Sequence, residues 1–191
     1  MEVNMKTHYR KTTALLLCAL FTALVAVGAF IRIPVPLVPF TLQFWFTTMA
    51  GLLLGPKLGA LSVVVYVLLG LVGVPGFTQG GGPGYVFQPT FGYLLGFIAG
   101  TWLTGKIAWI KQEPDVKWLL LAALAGLLVV YTCGTIYCYW ISNFVLGNTI
   151  TFWPLMVTCF FLPLPGDLAL CVVSALLGKR LLPQIRNLQS R

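Results

Sequence analysis

Few side chains in this sequence could do chemistry, and those few stand beside turn-forming proline and glycine residues. Asp167 directly follows a Pro-Gly pair, Arg32 interrupts a long apolar stretch, and residues 80–84 read Gly-Gly-Gly-Pro-Gly. A carboxylate, a guanidinium and a glycine run with bare backbone groups, set in apolar surroundings, are suited to holding a small amphipathic ligand. The elements around them must therefore bring three distant parts of the chain together.

The composition restricts the class of protein strongly. Among 191 residues, 59% are hydrophobic and 8% are charged, whereas a soluble domain carries roughly 25% charged residues. This balance excludes a water-soluble globule and a disordered chain, because neither could bury or solvate so much apolar surface. The formal net charge is +8, but the basic residues stand at the ends of apolar segments, so no nucleic-acid partner is expected.

Long stretches without charge predict an all-α integral membrane protein with six transmembrane helices in a single domain, residues 1–191. A crossing needs about 20 residues, and proline or glycine marks where each segment stops. The predicted helices are 13–33 (ending at Pro34 and Pro36), 41–54, 58–74, 91–110, 118–144 and 167–182. Outside them lie an N-terminal tail (1–12), an outer loop (75–90) that is too glycine-rich for regular structure, and a C-terminal tail (183–191).

The basic residues predict the orientation in the membrane. With both termini in the cytoplasm, eleven of the twelve Lys and Arg residues fall on the inner side, and Arg32 alone falls outside. Short inner loops of membrane proteins are enriched in Lys and Arg. An odd number of crossings would leave one basic terminus on the wrong side, so the pattern favours six.

On the outer side, the predicted helices bring Asp167 near a set of neutral donors and acceptors. An ionisable group at membrane depth usually marks a substrate or ion pathway. The alternative for Asp167 is that it only caps a helix, and the alternative for Arg32 is that it only reaches the outer headgroups. The remaining candidate ligand-binding residues are Thr41, Gln43, Gln79, Gly81, Gly82, Tyr85, Thr90 and Tyr93.

Catalysis is not expected from this sequence. The single histidine, His8, lies in the N-terminal tail, and the five cysteines lie in apolar segments without the spacing of metal ligands. Nucleophilic catalysis and metal binding both need convergent groups at suitable spacing. We therefore predict no catalytic residue, no metal ligand and no cofactor.

Small residues recur at four-residue spacing on two of the predicted helices. Gly92, Gly96 and Gly100 follow one another on the fourth helix, and Ala19 and Ala23 on the first. Such stripes let helix backbones approach closely in lipid, either within one protein or against a partner. A small membrane assembly protein without a ligand is therefore an alternative function.

Five short motifs taken together closely resemble the BioY biotin transporter family. They are IPVPLVPFTLQ (33–43), AGLLLGPKLGA (50–60), GGGPGY (80–85), PTFGYL (89–94) and LPGD (164–167). The resemblance extends from about Ala14 to Leu182, and the motifs stand in the family's order.

This resemblance implies a six-helix S component of an energy-coupling factor (ECF) transporter, which captures biotin from outside a bacterial or archaeal cell membrane. Such a component docks on a transmembrane T component that carries two ATP-binding subunits, so ATP hydrolysis would belong to partners. Asp167 would bind the ureido head of biotin, and the glycine loop would close over it. Ala19 and Ala23 match the small-residue motif that meets the T component.

The sequence departs from the family pattern at two places. The family usually has Lys three residues after this Asp, where this chain has Leu170. It also tends to have Gly-Pro-Thr-Gly-Gly-Tyr where residues 88–93 read Gln-Pro-Thr-Phe-Gly-Tyr. One polar contact to the ligand is then missing or comes from elsewhere, for example from Arg32 to a carboxylate. A related ligand such as dethiobiotin or lipoate is the alternative.

Overall fold

The computed structural model describes residues 2–33, 38–147 and 150–190. Six α-helices carry most of this part of the chain: α1 (Glu2–Phe30), α2 (Gln43–Val72), α3 (Phe91–Ala108), α4 (Val116–Trp140), α5 (Phe152–Met156) and α6 (Leu164–Ser190). Two short strands, β1 (Arg32–Ile33) and β2 (Phe40–Thr41), pair antiparallel. One π-helical turn continues α4 over Ile141–Val145, and another continues α5 over Val157–Phe161.

Helix α2 is not straight but folds back on itself at Gly55. This glycine has a φ of 81°, in the left-handed region that side chains disfavour, and Pro56 follows it. The side-chain amide of Gln43 donates to the hydroxyl of Tyr66 at 2.6 Å, although a straight helix would hold these residues about 35 Å apart. The two arms of α2 are therefore antiparallel, and the chain reverses where the sequence predicts a turn.

Most of the described chain is helical and apolar enough for a membrane. Four helical stretches reach the length and hydropathy of a membrane span: Thr12–Phe30, Gln43–Val72, Val116–Val145 and Phe152–Leu188. The second contains the reversal at Gly55, and the fourth contains both α5 and α6. The fold is thus an all-helical membrane fold, as the composition predicts.

Several elements are longer or more regular than the sequence predicts. Helix α1 begins at Glu2 inside the predicted tail 1–12 and ends at Phe30, where the predicted helix runs to residue 33. Helix α6 begins at Leu164 and continues through Pro183 to Ser190, over the described residues of the predicted tail. Polar helix-forming residues extend both helices beyond their apolar parts, which the hydropathy pattern does not detect. The predicted helix end at Pro34 and Pro36 lies outside the described residues.

The loop 75–90 has regular structure, contrary to the prediction. Residues Pro83–Phe87 form a 3₁₀ helix, with proline in its first turn. The amide of Tyr85 donates to the carbonyl of Gly82, and the amide of Gln88 donates to the carbonyl of Tyr85. Three successive glycines do not prevent this, because the helix starts only after them.

The glycine stripe on α3 is an internal seam against α4. A Cβ atom on Gly96 would stand 2.9 Å from the backbone of Val130, and one on Gly100 would stand 2.8 Å from the carbonyl oxygen of Gly126. Only glycine allows this approach, which brings the two helix backbones together along their length. The seam holds α3 and α4 as one wall of the molecule.

The bundle has two ends, which we name by one residue each. The Asp167 end contains β1, β2, the loop 75–90 and the start of α6, and a buried aromatic cluster that includes Phe44, Tyr66, Tyr93 and Tyr131 lies beneath it. The Lys57 end contains the reversal of α2, the α3–α4 connection and the C-terminal part of α6. A second buried cluster, built on Leu52, Leu119, Ala122 and Leu182, lies there.

Candidate ligand-binding site

A cavity opens at the Asp167 end between β2, the helices α2, α3 and α4, and the start of α6. The volume of the cavity is about 50 Å³, much less than the roughly 300 Å³ of a small ligand pocket. It is a narrow cleft with mostly apolar walls and a few directed polar groups. Its lining residues are Val38, Pro39, Phe40, Thr41, Gln43, Phe44, Thr78, Tyr85, Thr90, Tyr93, Leu94, Phe97, Val130, Tyr131, Pro163 and Asp167.

Asp167 is the charged group in this lining, and its two oxygens differ. The residue is only 7% exposed. The hydroxyl of Tyr131 on α4 donates to Oδ2 at 2.6 Å, whereas Oδ1 is buried without a hydrogen-bond partner among the described residues. A buried carboxylate oxygen without a partner is energetically costly. Oδ1 is therefore an acceptor that is ready for a donor from a ligand.

The local sequence explains how Asp167 reaches the cavity. The residue lies in the first turn of α6, where its backbone amide donates to the carbonyl of Pro163 at 3.1 Å. A Cβ atom on Gly166 would stand 2.7 Å from the ring of Phe40. Glycine at that position lets the Phe40 ring pack directly against the helix start. The Pro-Gly pair before Asp167 thus fits α6 against β2 at the mouth of the cavity.

Three hydroxyl groups form a chain along one side of the cavity. The hydroxyl of Tyr85 lies 2.9 Å from Thr78 Oγ1 and 3.0 Å from Thr90 Oγ1. These contacts join the two halves of the loop 75–90 to the start of α3. Because each hydroxyl group can both donate and accept, this side of the cavity can adapt to a donor or an acceptor.

The remaining polar groups of the lining already have partners in the protein. The hydroxyl of Thr41 donates to Gln43 Oε1 at 3.4 Å, and the Gln43 amide donates to Tyr66, as described above. The Tyr66 hydroxyl in turn donates to the carbonyl of Gly76 at 2.8 Å. The hydroxyl of Tyr93 donates to the carbonyl of Cys159 at 2.6 Å. These bonds fix the shape of the cavity and leave Asp167 Oδ1 as its unpaired buried acceptor.

The structure brings together six of the residues predicted from the sequence. Asp167, Thr41, Gln43, Tyr85, Thr90 and Tyr93 all line the cavity. Gln79, Gly81, Gly82 and Arg32 do not line it.

The part of the loop that contains the glycines is held against α2, and its glycines are not among the residues that line the cavity. A Cβ atom on Gly81 would stand 2.4 Å from the carbonyl oxygen of Val74, and the amide of Gly82 donates to the carbonyl of Gly70 at 2.7 Å. Gln79 is exposed. Gly81 serves close packing, whereas Gly80 and Gly82 adopt a positive φ, and a Cβ atom on either would meet nothing within 4 Å. Tyr85, which follows the glycines, lines the cavity.

Arg32 lies beside the cavity at the surface. Its guanidinium is exposed and donates to the carbonyl of Thr78, whose side chain belongs to the lining. This hydrogen bond joins β1 to the loop 75–90 across the mouth of the site.

Sequence reasoning missed Tyr131, Thr78 and the aromatic walls Phe40, Phe44 and Phe97. Tyr131 stands inside a long apolar run, where a tyrosine is usually interpreted as core. The signal that could have found it is its hydroxyl group, because a buried tyrosine generally needs a hydrogen-bond partner. In the apolar core of this fold, Asp167 is that partner.

Three further positions singled out from the sequence lie away from the cavity. Ala19 and Ala23 are on an exposed face of α1, together with Leu16, Leu20 and Val27. Leu170, one turn after Asp167, packs partly buried against the aromatic cluster and does not line the cavity. Among the described residues, no group of three or more His, Cys, Asp or Glu side chains is placed to hold a metal ion.

Comparisons with known proteins agree with one another. The model of the BioY family matches residues 1–187. The chain is 42% identical over 178 residues to a probable biotin transporter BioY of Lysinibacillus sphaericus. This match covers 93% of this chain and 91% of the relative. It is 38% identical over 169 residues to the biotin transporter BioY of Thermotoga maritima, with 87% and 94% covered.

A solved structure shares the fold. The crystal structure at 2.1 Å of the S component for biotin from an ECF-type ABC transporter superimposes with a TM-score of 0.78. The two chains are 28% identical, and the match covers 90% of this chain and 91% of the other. The two chains therefore share this fold over nearly their whole length.

Proposed function

Because this chain belongs to the BioY family, we propose that it is the S component of an ECF transporter and captures biotin for uptake. The observation that carries this proposal is the buried, unpaired Oδ1 of Asp167 inside a mostly apolar cavity. Biotin combines an N–H-bearing ureido ring with an apolar chain, and this cavity offers an acceptor and apolar walls.

Asp167 accepts a hydrogen bond from a ureido N–H of biotin at Oδ1, while Tyr131 continues to donate to Oδ2. A bond to a charged acceptor is roughly twice as strong as a neutral one. The apolar ring and chain of biotin pack against the walls formed by Phe40, Phe44 and Phe97. Arg32, at the mouth, binds the carboxylate end of the ligand.

Binding requires the cavity to widen, since its present free space is about 50 Å³, well below the roughly 300 Å³ typical of ligand pockets. The hydrogen bond between Arg32 and Thr78 joins β1 to the loop 75–90 across the mouth. Separation of these two segments opens the site, and their return excludes water from Asp167. The glycines 80–82 remain against α2 during this motion, and the Tyr85 side of the loop moves.

The chain crosses the membrane six times as one domain, with both termini in the cytoplasm. The reversal at Gly55 divides α2 into two arms, which supports two crossings there. Lys57 follows this reversal directly, and Lys179 and Arg186 donate to carbonyl groups of the α3–α4 connection at the same end. This clustering agrees with a cytoplasmic Lys57 end, and it leaves the ligand cavity at the outer end.

The partners of this S component are a transmembrane T component and two ATP-binding subunits, which hydrolyse ATP. The exposed face of α1 that contains Ala19 and Ala23 provides the contact, because small residues let a partner helix approach closely. Bulky apolar side chains, Leu16, Leu20 and Val27, flank the two alanines and are exposed as well.

Titration of the detergent-purified chain with biotin, dethiobiotin and lipoate tests the ligand. Tight one-to-one binding of biotin, with weaker binding of the other two, is the expected result. Preference for dethiobiotin or lipoate would change the proposed substrate, and a folded chain that binds none of them would favour the assembly function. Dethiobiotin retains the ureido group and lipoate lacks it, so their ranking also reports on Asp167.

A variant of α1 tests the partner surface separately. Ala19→Trp is expected to leave biotin binding intact and to abolish copurification with the T component. The matched control is Leu128→Trp, since Leu128 is also exposed on the apolar surface but lies on α4. Equal copurification of both variants would place the T component elsewhere.

A further inference from the structure

Two buried cysteines lie in contact at the Asp167 end, on segments that the sequence separates. Cys138 is in the last turn of α4, and Cys159 is in the π-helical turn that follows α5. Their sulfur atoms are 3.6 Å apart, although 21 residues separate them in the chain. Both residues are 0% exposed. The other cysteines, Cys18, Cys133 and Cys171, make no sulfur–sulfur contact among the described residues.

The two sulfurs are in non-bonded contact and must come closer to form a disulfide. A bonded pair is about 2.0 Å apart, so the atoms must approach by roughly 1.6 Å from their contact distance. Cys159 stands on a short element, because α5 and its π-helical turn have five residues each. Closing the gap requires rotation of both side chains together with a shift of this short element.

The pair lies against the wall of the ligand cavity. The carbonyl of Cys159 accepts the hydrogen bond of Tyr93, whose side chain lines the cavity. Tyr137, directly before Cys138, donates to the carbonyl of Val86 in the loop 75–90. A covalent bond between the two cysteines would therefore join α4 to the segment before α6 beside the binding site.

We propose that Cys138 and Cys159 are an oxidation site that closes to a reversible disulfide. This proposal does not depend on the identity of the ligand. The orientation proposed above only adds that the pair faces the outer side of the membrane, where disulfides persist.

The oxidant is a small disulfide, and the exchange balances in two steps. The thiolate of one cysteine attacks a sulfur of the small disulfide, forms a mixed disulfide and releases one thiol. The thiolate of the second cysteine then attacks the protein sulfur and releases the second thiol. The two cysteines lose two protons and two electrons, and the small disulfide is reduced to two thiols.

An oxidant reaches the buried sulfurs through the short element formed by α5 and its π-helical turn. Thr158 is only partly buried, and its hydroxyl oxygen lies 3.7 Å from the sulfur of Cys159. Opening of the turn Val157–Phe161 therefore exposes Cys159 without unfolding α4. Reaction should be slower than for a surface thiol, since only the opened form reacts.

The test uses the purified full chain and oxidised glutathione as the oxidant. After incubation the protein is quenched in acid, denatured, alkylated with N-ethylmaleimide and analysed by mass spectrometry. The reduced chain has five free cysteines, so we expect alkylated sites to fall from five to three and a digest to yield one Cys138–Cys159 cross-link. Dithiothreitol should restore all five. Five alkylated sites after prolonged oxidation, glutathione adducts alone, or a cross-link between other cysteines would overturn the proposal.

Single substitutions give a second readout that does not depend on the mass analysis. The oxidised wild-type chain is expected to unfold at a higher temperature than the reduced chain, and Cys138→Ser should abolish this shift. Cys171→Ser is the matched control, because Cys171 is also buried but lies on α6, and it should retain the shift. A shift that survives in Cys138→Ser would contradict the assignment. Biotin titration of the same samples tests the proposed function separately.

Discussion

Around Asp167 the helices enclose hydroxyl, amide and carboxylate groups, whereas around Gly55 they meet backbone against backbone. At the Lys57 end, a Cβ atom on Gly51 would stand 2.6 Å from the carbonyl oxygen of Thr101, and one on Gly105 would stand 2.6 Å from the carbonyl carbon of Gly55. At the Asp167 end, one carboxylate oxygen is buried without a partner among the residues that the structure describes. The Lys57 end is therefore marked by close backbone packing, and the Asp167 end by a carboxylate oxygen that can accept a hydrogen bond from a ligand.

The two ends are expected to contribute to different properties, the Lys57 end to folding stability and the Asp167 end to ligand binding. In lipid, helix association depends on close packing and on interhelical hydrogen bonds, and the Lys57 end provides the first of these. A buried carboxylate opposes folding, so the Asp167 end depends on the packing elsewhere to remain formed. If this division holds, substitutions at the two ends should affect different measurements.

The largest expected effect is on binding, from Asp167→Asn. The amide cannot offer a charged acceptor at Oδ1, and a hydrogen bond to a charged group contributes about 1.5–3 kcal/mol. We therefore expect biotin affinity to fall by roughly 10- to 100-fold in isothermal titration. The thermal unfolding temperature should stay the same or rise, since a buried charge is removed. Asp115→Asn, at the exposed pair with Lys111, is the control. Unchanged affinity for Asp167→Asn would remove Asp167 from the site.

The opposite pattern is expected for Gly51→Ala at the Lys57 end. The added methyl group would press against the backbone of Thr101, and overpacking of this kind costs about 1–3 kcal/mol. The unfolding temperature in detergent should fall, while biotin affinity of the folded protein stays as in the wild type. Gly84→Ala is the matched control, because a Cβ atom there would meet nothing within 4 Å. Loss of affinity without loss of stability would contradict the separation of the two ends.

A smaller effect is expected for Tyr131→Phe, which tests how the carboxylate is held. Removal of the hydroxyl leaves Oδ2 without its donor at 2.6 Å, while Oδ1 remains available to the ligand. Loss of a single hydrogen bond of about 1 kcal/mol predicts roughly fivefold weaker biotin binding. Tyr137→Phe is the control, since its hydroxyl binds the carbonyl of Val86 and not Asp167. A loss as large as that of Asp167→Asn would mean that Tyr131 contacts the ligand itself.

Much of this arrangement could be predicted from the sequence, because it depends on local signals. The scarcity of charge predicts a membrane protein, and Gly55-Pro56 predicts the reversal of α2. The family resemblance, which rests on five short motifs, is confirmed by the match over residues 1–187. Asp167 could be selected because a carboxylate within apolar sequence has few structural explanations.

The rest depends on contacts between distant segments, which no local pattern encodes. Tyr131 and Asp167 are 36 residues apart, and nothing in the apolar run of α4 distinguishes this tyrosine from core. That the glycine run covers the ligand stays a prediction, and the sequence does not show that Gly81 packs against Val74 on α2. A glycine in a sequence indicates either conformational freedom of the backbone or a close approach of another segment, and only the structure around it distinguishes the two.

The smallest effect is expected for Leu170→Lys, which restores the residue usual in the family. Leu170 lies one turn after Asp167 on the same face of α6 and packs against the aromatic cluster without lining the cavity. An ammonium group there could reach Asp167, but Tyr131 already donates to Oδ2. We expect biotin affinity to change by less than about threefold, because an ammonium donor beside the Tyr131 hydroxyl should alter the free energy of binding by under about 0.7 kcal/mol. Leu170→Met, with similar volume and no charge, controls for packing. A tenfold gain with lysine alone would show that the Asp167 end lacks a contact, and that its polar groups are tuned to a ligand other than biotin.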